Sequence, residues 1–304
     1  MGETGPVEPT AGGRGSGPAS AIVTTAVAVA IASAVAVAGS AGGLRVGWLA
    51  LFALCAAVAF ALNWIAFVPS LLLRTERFYD LTGTLTYLGV ITLALVAGSG
   101  SKLSIILALL IAIWTVRLGA FLVRRILEDG SDGRFDEIKV VPARLFMTWT
   151  LQGLWVVLTA GAALAAMTGG SGAEPGLLTV LGVAIWVVGF GIEAAADSQK
   201  RAFRADPANE GRFITGGLWA WSRHPNYFGE ITLWVGIAVI SLPALSGWQH
   251  VTLISPVFVA LLLTRVSGVP MLEARARRRW GDEAAYRDYV ARTPVLVPRP
   301  PRER

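Results

Sequence analysis

The chain has 304 residues, of which 54% are hydrophobic and only 15% charged, with a mean hydropathy of +0.61. These proportions exclude an ordinary soluble domain and indicate a polytopic membrane protein. The net charge of +6 follows from basic loops rather than from a nucleic-acid partner, and a single cysteine, Cys55, leaves no disulfide framework.

Residues 1–19, rich in Gly, Pro, Ser and Thr without an apolar period, read as a disordered tail. An Ala and Val run extends to about residue 39. Its A-x-A ending is like that of a signal peptide, but the tail before it is long and slightly acidic where a basic region is expected, so it reads as a weakly hydrophobic first span. Further apolar runs follow at about 47–72, 81–97, 103–123, 145–168, 176–196, 227–243 and 251–268. None alternates with period two, and lipid cannot satisfy open backbone groups, so the expected fold is an all-α polytopic bundle of about seven to eight membrane helices. The bundle occupies 20–268, and 269–304 is a basic cytoplasmic segment.

With eight spans and a cytoplasmic N-terminus, Arg45 and Lys102 are the only basic residues in loops of the far side, and Arg117 is the only one inside a span. The positive-inside rule therefore predicts both ends in the cytoplasm. It also brings residues 73–80, 124–144 and 197–226 and the C-terminal segment to one face, where a charged cytoplasmic ligand can reach them all.

The densest chemistry lies in RFITGGLWAWSRHPNYFGEITLW, from Arg212 to Trp234. Asn226 and Glu230 open an apolar run, where unpaired polar groups are costly, so a ligand or partner is expected there. Before it, Glu193, Asp197, Arg201 and Arg204 share one helical face, as an ion-pair ladder or as a convergent polar site. Glu193 lies about a turn inside its span. Arg117, one turn after Trp114, pairs with Glu193, Asp197 or Glu230, or holds a phosphate. Asn63 reads as an interhelical hydrogen-bonding residue and Pro69 as a kink or opening in the second span. His224, just before Pro225, reads as an anion donor or helix cap, with no companion ligands for a metal. The segment from Glu273 to Pro298 reads as a basic amphipathic helix, resting on anionic lipid or closing over an anionic cofactor. Rossmann, Walker and nucleophile-elbow patterns are absent.

The block GGLWAWSRHPNYFGE, from Gly216 to Glu230, preceded by Asp197, Lys200 and Arg204, resembles the C-terminal domain of the steroid 5-alpha-reductase family. It is most similar to bacterial members of unassigned function, through a WxxRL run (Trp114 to Leu118), a DxRF loop (Asp132 to Phe135) and an ERFYDLTG segment (Glu76 to Gly83). The resemblance covers roughly residues 60–295 and implies a bacterial-type plasma-membrane bundle. Such a bundle holds NADPH and reduces a carbon-carbon double bond conjugated to a ketone by hydride transfer. Carried over, Asn226 and Glu230 meet the nicotinamide-ribose end. Asp197 and Glu193 meet other polar parts, Glu193 standing where steroid-reducing members have Asn. Arg204, Arg212 and Arg265 neutralise phosphates, and Arg117, Arg134, His224 and Tyr227 complete the cofactor-binding set.

Steroid-reducing members carry a Gln-Glu pair before a Pro-Ser, and a later Tyr that holds the carbonyl. Here Ala66, Phe67 and Val68 precede Pro69 and Ser70, and Trp114 stands at the Tyr position. Tyr79, Asp80 and Trp114 are then the candidates for the catalytic role, with Tyr87 a further source of an acid. An S-adenosylmethionine-dependent membrane methyltransferase, which shares the RHP-Y segment, and a non-catalytic protein of the same fold are the alternatives. The implied partners are a lipophilic small-molecule substrate and membrane lipid, with no nucleic acid.

Overall fold

The computed structural model describes residues 17–130 and 135–301. Most of the expected N-terminal tail, and the candidate Arg134, lie outside them. The helices are α1 (Pro18–Gly39), α2 (Leu51–Leu73), α3 (Tyr79–Ala97), α4 (Lys102–Asp129), α5 (Pro142–Thr159), α6 (Gly161–Thr168), α7 (Leu177–Ala205), α8 (Pro225–Ser241), α9 (Ser255–Leu261), α10 (Val269–Trp280) and α11 (Ala284–Arg292). Seven segments are long and apolar enough to cross a membrane, and the bent pair α5 and α6 makes an eighth. The architecture is that of an all-α, multi-pass membrane protein.

Three boundaries depart from the sequence reading. The second span starts at Leu51 rather than near 47, because β1 (Arg45–Val46) and β2 (Leu49–Ala50) form a small antiparallel hairpin that turns at Gly47, with φ of 60°. The run 145–168 is not one helix but bends by 59° at Ala160. There the Ser255 hydroxyl donates to the Thr159 carbonyl, an intrusion of the kind that breaks a helical ladder. All of α6 is buried, which its small residues permit. Third, the expected C-terminal helix is two helices, α10 and α11, separated at Gly281.

Successive spans run in opposite directions. The C-termini of α2, α4 and α7 therefore meet the N-termini of α3 and α8 at one end, which is rich in arginine and is called here the basic end. Asn63 links α2 to α3 through a 3.3 Å bond to the Thr86 hydroxyl, the interhelical role expected of it. Pro69 lies inside α2, which continues past it to Leu73.

The tightest packing joins α7 to α8. Gly182 and Gly189 on α7 face Gly236 and Gly229 on α8, each pair spaced by two helical turns so that it lies on one stripe. A Cβ at Gly229 would lie 2.6 Å from the Glu193 backbone nitrogen, and one at Gly236 would lie 2.6 Å from the Gly182 carbonyl oxygen. Only glycine lets these backbones touch, as at small-residue interfaces between membrane helices.

Gly236→Ala is therefore expected to destabilise the protein by about 1–3 kcal/mol. Gly191→Ala, whose Cβ would meet nothing within 4 Å, is expected to be neutral or to stabilise by up to about 1 kcal/mol. Thermal unfolding in detergent measures both, and equal shifts for the two variants would count against the seam.

Candidate functional site

The seam sets Glu193 and Asp197 of α7 against Asn226 and Glu230 of α8, and Arg117 of α4 reaches into the group. Arg117 Nη1 pairs with Asp197 Oδ2 at 3.0 Å, and Nη2 pairs with Glu193 Oε1. The Arg117 guanidinium also lies 5.5 Å from the centroid of the Phe190 ring. Asn226 Nδ2 donates to Asp197 Oδ1 at 3.2 Å, extending the chain across to α8. The guanidinium is thus taken by carboxylates rather than by a phosphate. The ladder within α7 does not form among the described residues, because both acids turn to Arg117.

Glu230, one turn after Asn226, is buried and makes no hydrogen bond or ion pair with the described residues. It acts electrostatically on Glu193 and on Tyr87 and is itself acted on by Asp197 and Arg117. Three carboxyl groups therefore crowd one guanidinium. Glu193 Oε2 and the indole nitrogens of Trp114 and Trp234 are also buried, and none meets hydrogen-bond geometry among the described residues, although the Trp114 N–H lies close to the Glu193 carboxyl. Acceptors and N–H donors with unmet capacity, side by side at membrane depth, are what a polar ligand would satisfy. The wall beyond them is aromatic. Trp114 lies 4.9 Å from Trp234 and 5.3 Å from Tyr87, ring centre to ring centre, in edge-to-face pairs. The hydroxyls of Tyr87 and Thr159 are close together without meeting hydrogen-bond geometry.

At the basic end, the stretch before α8 is held from the C-terminal segment. Glu273 of α10 accepts from Arg223 Nη1 at 2.6 Å and meets His224 Nε2 at 2.9 Å. His224 is buried, stacks in parallel on Tyr227, and makes no capping bond with its side chain. Its ring is committed to Glu273 rather than offered to an anion. Tyr289 donates its hydroxyl to the Trp219 carbonyl at 2.8 Å, and burial pushes that phenol's pKa up, keeping it a neutral donor. Farther along, the Arg223 backbone N–H donates to the Pro294 carbonyl, the Ser222 hydroxyl to the Leu296 carbonyl, and the Arg299 N–H to the Trp221 carbonyl. Among the described residues no group of three His, Cys, Asp or Glu side chains is arranged to hold a metal ion.

The family described as "Protein of unknown function (DUF1295)" matches residues 64–293. The chain belongs to this family. It is 36% identical over 94 residues to the "Probable O-methyltransferase ustE" of Ustilaginoidea virens, covering 30% of this chain and 32% of that protein. It is 29% identical over 118 residues to the "3-oxo-5-alpha-steroid 4-dehydrogenase 1" of Rattus norvegicus, covering 38% of this chain and 40% of that one. The chain thus spans about a third of one curated relative and two fifths of the other. No solved structure matches it significantly. These likenesses place the DUF1295 protein among membrane reductase-like and methyltransferase-like proteins, as a distant relative of steroid 5-alpha-reductase.

Of the residues singled out in the sequence, Trp114, Arg117, Glu193, Asp197, Asn226 and Glu230 come together. His224 and Tyr227 stand beside them at the start of α8. Arg204, Arg212 and Arg265 are exposed at the basic end. Tyr79 and Asp80 belong to another group, between α3, α4 and α5. There Tyr79 packs edge-on against Phe135 and Trp149 and bonds the Thr148 carbonyl, and Asp80 faces Arg125 at 3.5 Å. Trp234 and Glu273 were not anticipated. Trp234 follows Glu230 by four residues, so helical spacing alone marks it as a neighbour, whereas Glu273 carries no local signal.

Arg117→Ala is expected to cost the DUF1295 protein about 3–5 kcal/mol, since it strands two buried carboxylates. Adding Glu193→Gln should recover part of that loss, and the pair of variants is read by thermal unfolding in detergent.

Proposed function

We propose that the protein is a membrane-embedded, NADPH-dependent reductase of a lipophilic substrate whose target is a carbon-carbon double bond conjugated to a ketone. The observation that carries this reading is the Arg117, Asp197 and Asn226 chain beside the unpartnered Glu230, a polar arrangement that is costly at membrane depth without a ligand. The relative named 3-oxo-5-alpha-steroid 4-dehydrogenase supports the substrate class, as does the resemblance through Gly216 to Glu230.

The residues fit such a cofactor. Glu230 is the acceptor and the Trp234 N–H the donor, with the neighbouring Glu193 Oε2 and Trp114 N–H beside them, for a carboxamide or ribose hydroxyl that must both give and take hydrogen bonds. Arg204, Arg212 and Arg265, exposed at the same end, carry the charge that phosphates require. Bound there, NADPH supplies the hydride. The chain's own residues then orient, exclude water and hold a proton. Arg117 fixes the two α7 carboxyls, Asn226 is held by Asp197, and the Trp114, Trp234 and Tyr87 wall keeps water from the reacting carbon. Tyr87, whose hydroxyl lies near that of Thr159 without meeting hydrogen-bond geometry and whose ring packs on Trp114, joins Trp114 as the candidate to polarise the acceptor carbonyl. The distribution of Lys and Arg supports a cytoplasmic basic end and cytoplasmic termini.

A methyltransferase using S-adenosylmethionine is the second reading, favoured by the 36% identity to the probable O-methyltransferase. The three-acid site would suit a sulfonium cation.

Thermal unfolding with each cofactor separates the two. A ligand at a hundredfold excess over Kd stabilises the folded state by about 2.7 kcal/mol. The expected result is stabilisation by NADPH that Asn226→Ala/Glu230→Ala abolishes. Stabilisation by S-adenosylmethionine alone replaces the reductase with the methyltransferase, and no response to either favours a non-catalytic protein. In an enone-reduction assay, Tyr87→Phe is expected to lower kcat by about 10²-fold or more while leaving NADPH binding intact.

A further inference from the structure

Away from the Arg117 site, the turn between α2 and α3 lines an open crease of about 450 Å³ at the basic end. That volume falls within the range of small-ligand pockets, about 300–1,000 Å³. Its lining includes three cations, Arg74, Arg77 and Lys139, and one acid, Glu76. Lys139 is already matched, by Asp136 at 3.0 Å and Glu76 at 3.3 Å. Arg77 gives Nε and Nη2 to the Gly130 carbonyl at 3.3 and 3.2 Å, and its Nη1 makes no hydrogen bond or ion pair with the described residues. Arg74 makes no ion pair with the described residues. The two arginines are thus available to an anion.

The conformation of Arg74 is informative. Its φ of 48° makes it the one non-glycine residue with positive φ among the described residues. A turn alone would be served with less strain by Gly or Asn. An arginine held in that conformation at the wall of the crease brings charge that a turn does not need.

The surroundings are amphipathic. Leu72, Leu73, Phe78 and Leu81 are exposed apolar residues at the ends of two membrane spans, next to the cations. The crease therefore lies where hydrocarbon gives way to headgroups, with apolar side chains on one flank and guanidinium groups on the other. Arginine meets phosphate oxygens in bidentate geometry, and basic clusters at the ends of membrane helices attract anionic headgroups.

We infer that the crease formed by Arg74, Arg77 and Lys139 at the α2–α3 turn is a phosphate-binding site, separate from the Arg117 site and filled by a phosphate ester at the membrane surface. The group comes from a lipid headgroup or from soluble phosphate. The inference is independent of the reductase reading.

The test uses the full chain in uncharged detergent with three probes: dioctanoyl phosphatidic acid, dioctanoylglycerol and sodium phosphate. Binding is followed by native mass spectrometry for the two lipids and by competition for the phosphate. Phosphatidic acid is expected to bind at least about tenfold tighter than dioctanoylglycerol, as two charge-assisted contacts would give. Arg74→Asn/Arg77→Gln should erase that difference, and Arg74→Lys/Arg77→Lys should restore part of it. Asn accepts the left-handed conformation, so Arg74→Asn alone folds normally and should show a partial loss. Displacement of the lipid by millimolar phosphate identifies a soluble phosphate group as the ligand, and resistance to displacement identifies a headgroup. Equal binding of the two lipids, or unchanged binding in the variants, overturns the site.

Discussion

The contact of the α7 and α8 backbones across four glycines is the constraint on which the rest of the site depends. Helices bearing ordinary side chains at those positions would stand farther apart, and Asn226 could not reach Asp197 across the gap. Lipid offers little driving force for helices to associate, so the close approach itself, with its dispersion contacts, supplies the cohesion. The same seam that holds the bundle together sets the spacing of the polar residues. Fold and site share one determinant.

Electrostatics follow from that geometry. Once Glu193, Asp197 and Glu230 are drawn together away from water, a single guanidinium cannot satisfy them all. Arg117 takes two, and Asn226 supports one of those from the other side. The carboxyl left over, with the Trp234 N–H, which has no partner among the described residues, gives the interior a surplus of hydrogen-bonding capacity on the side of the aromatic wall. A core evolved only for stability would pair these groups or replace them with apolar ones.

Much of this was legible in the sequence, and the reasons are physical. Spans declare themselves because a bilayer demands long apolar runs, so all eight were visible, although the break at Ala160 was not: nothing local announces that a serine almost a hundred residues later will take the Thr159 carbonyl. Glu193, Arg117, Asn226 and Glu230 stood out because charge and amide groups are conspicuous against apolar neighbours. The choice of partners for Arg117 was beyond reach, since it depends on which helices adjoin. His224 shows the same limit, because its partner Glu273 comes from a distant helix. The glycine repeat on α7 and α8 stands at a fixed seven-residue spacing but was not singled out, because which helix faces which is not written in either helix alone.

The bonds from residues 294–299 back to residues 221–223 tie the approach to α8 to a part of the chain made after every membrane helix. During synthesis the spans can be inserted and the glycine seam closed while the stretch carrying Arg223 and His224 still lacks its outer support. Completion of the bundle and completion of the site are thus separate events in the life of the molecule, and a chain cut short before Pro294 would retain its membrane architecture without the strap that seats its most chemically dense segment.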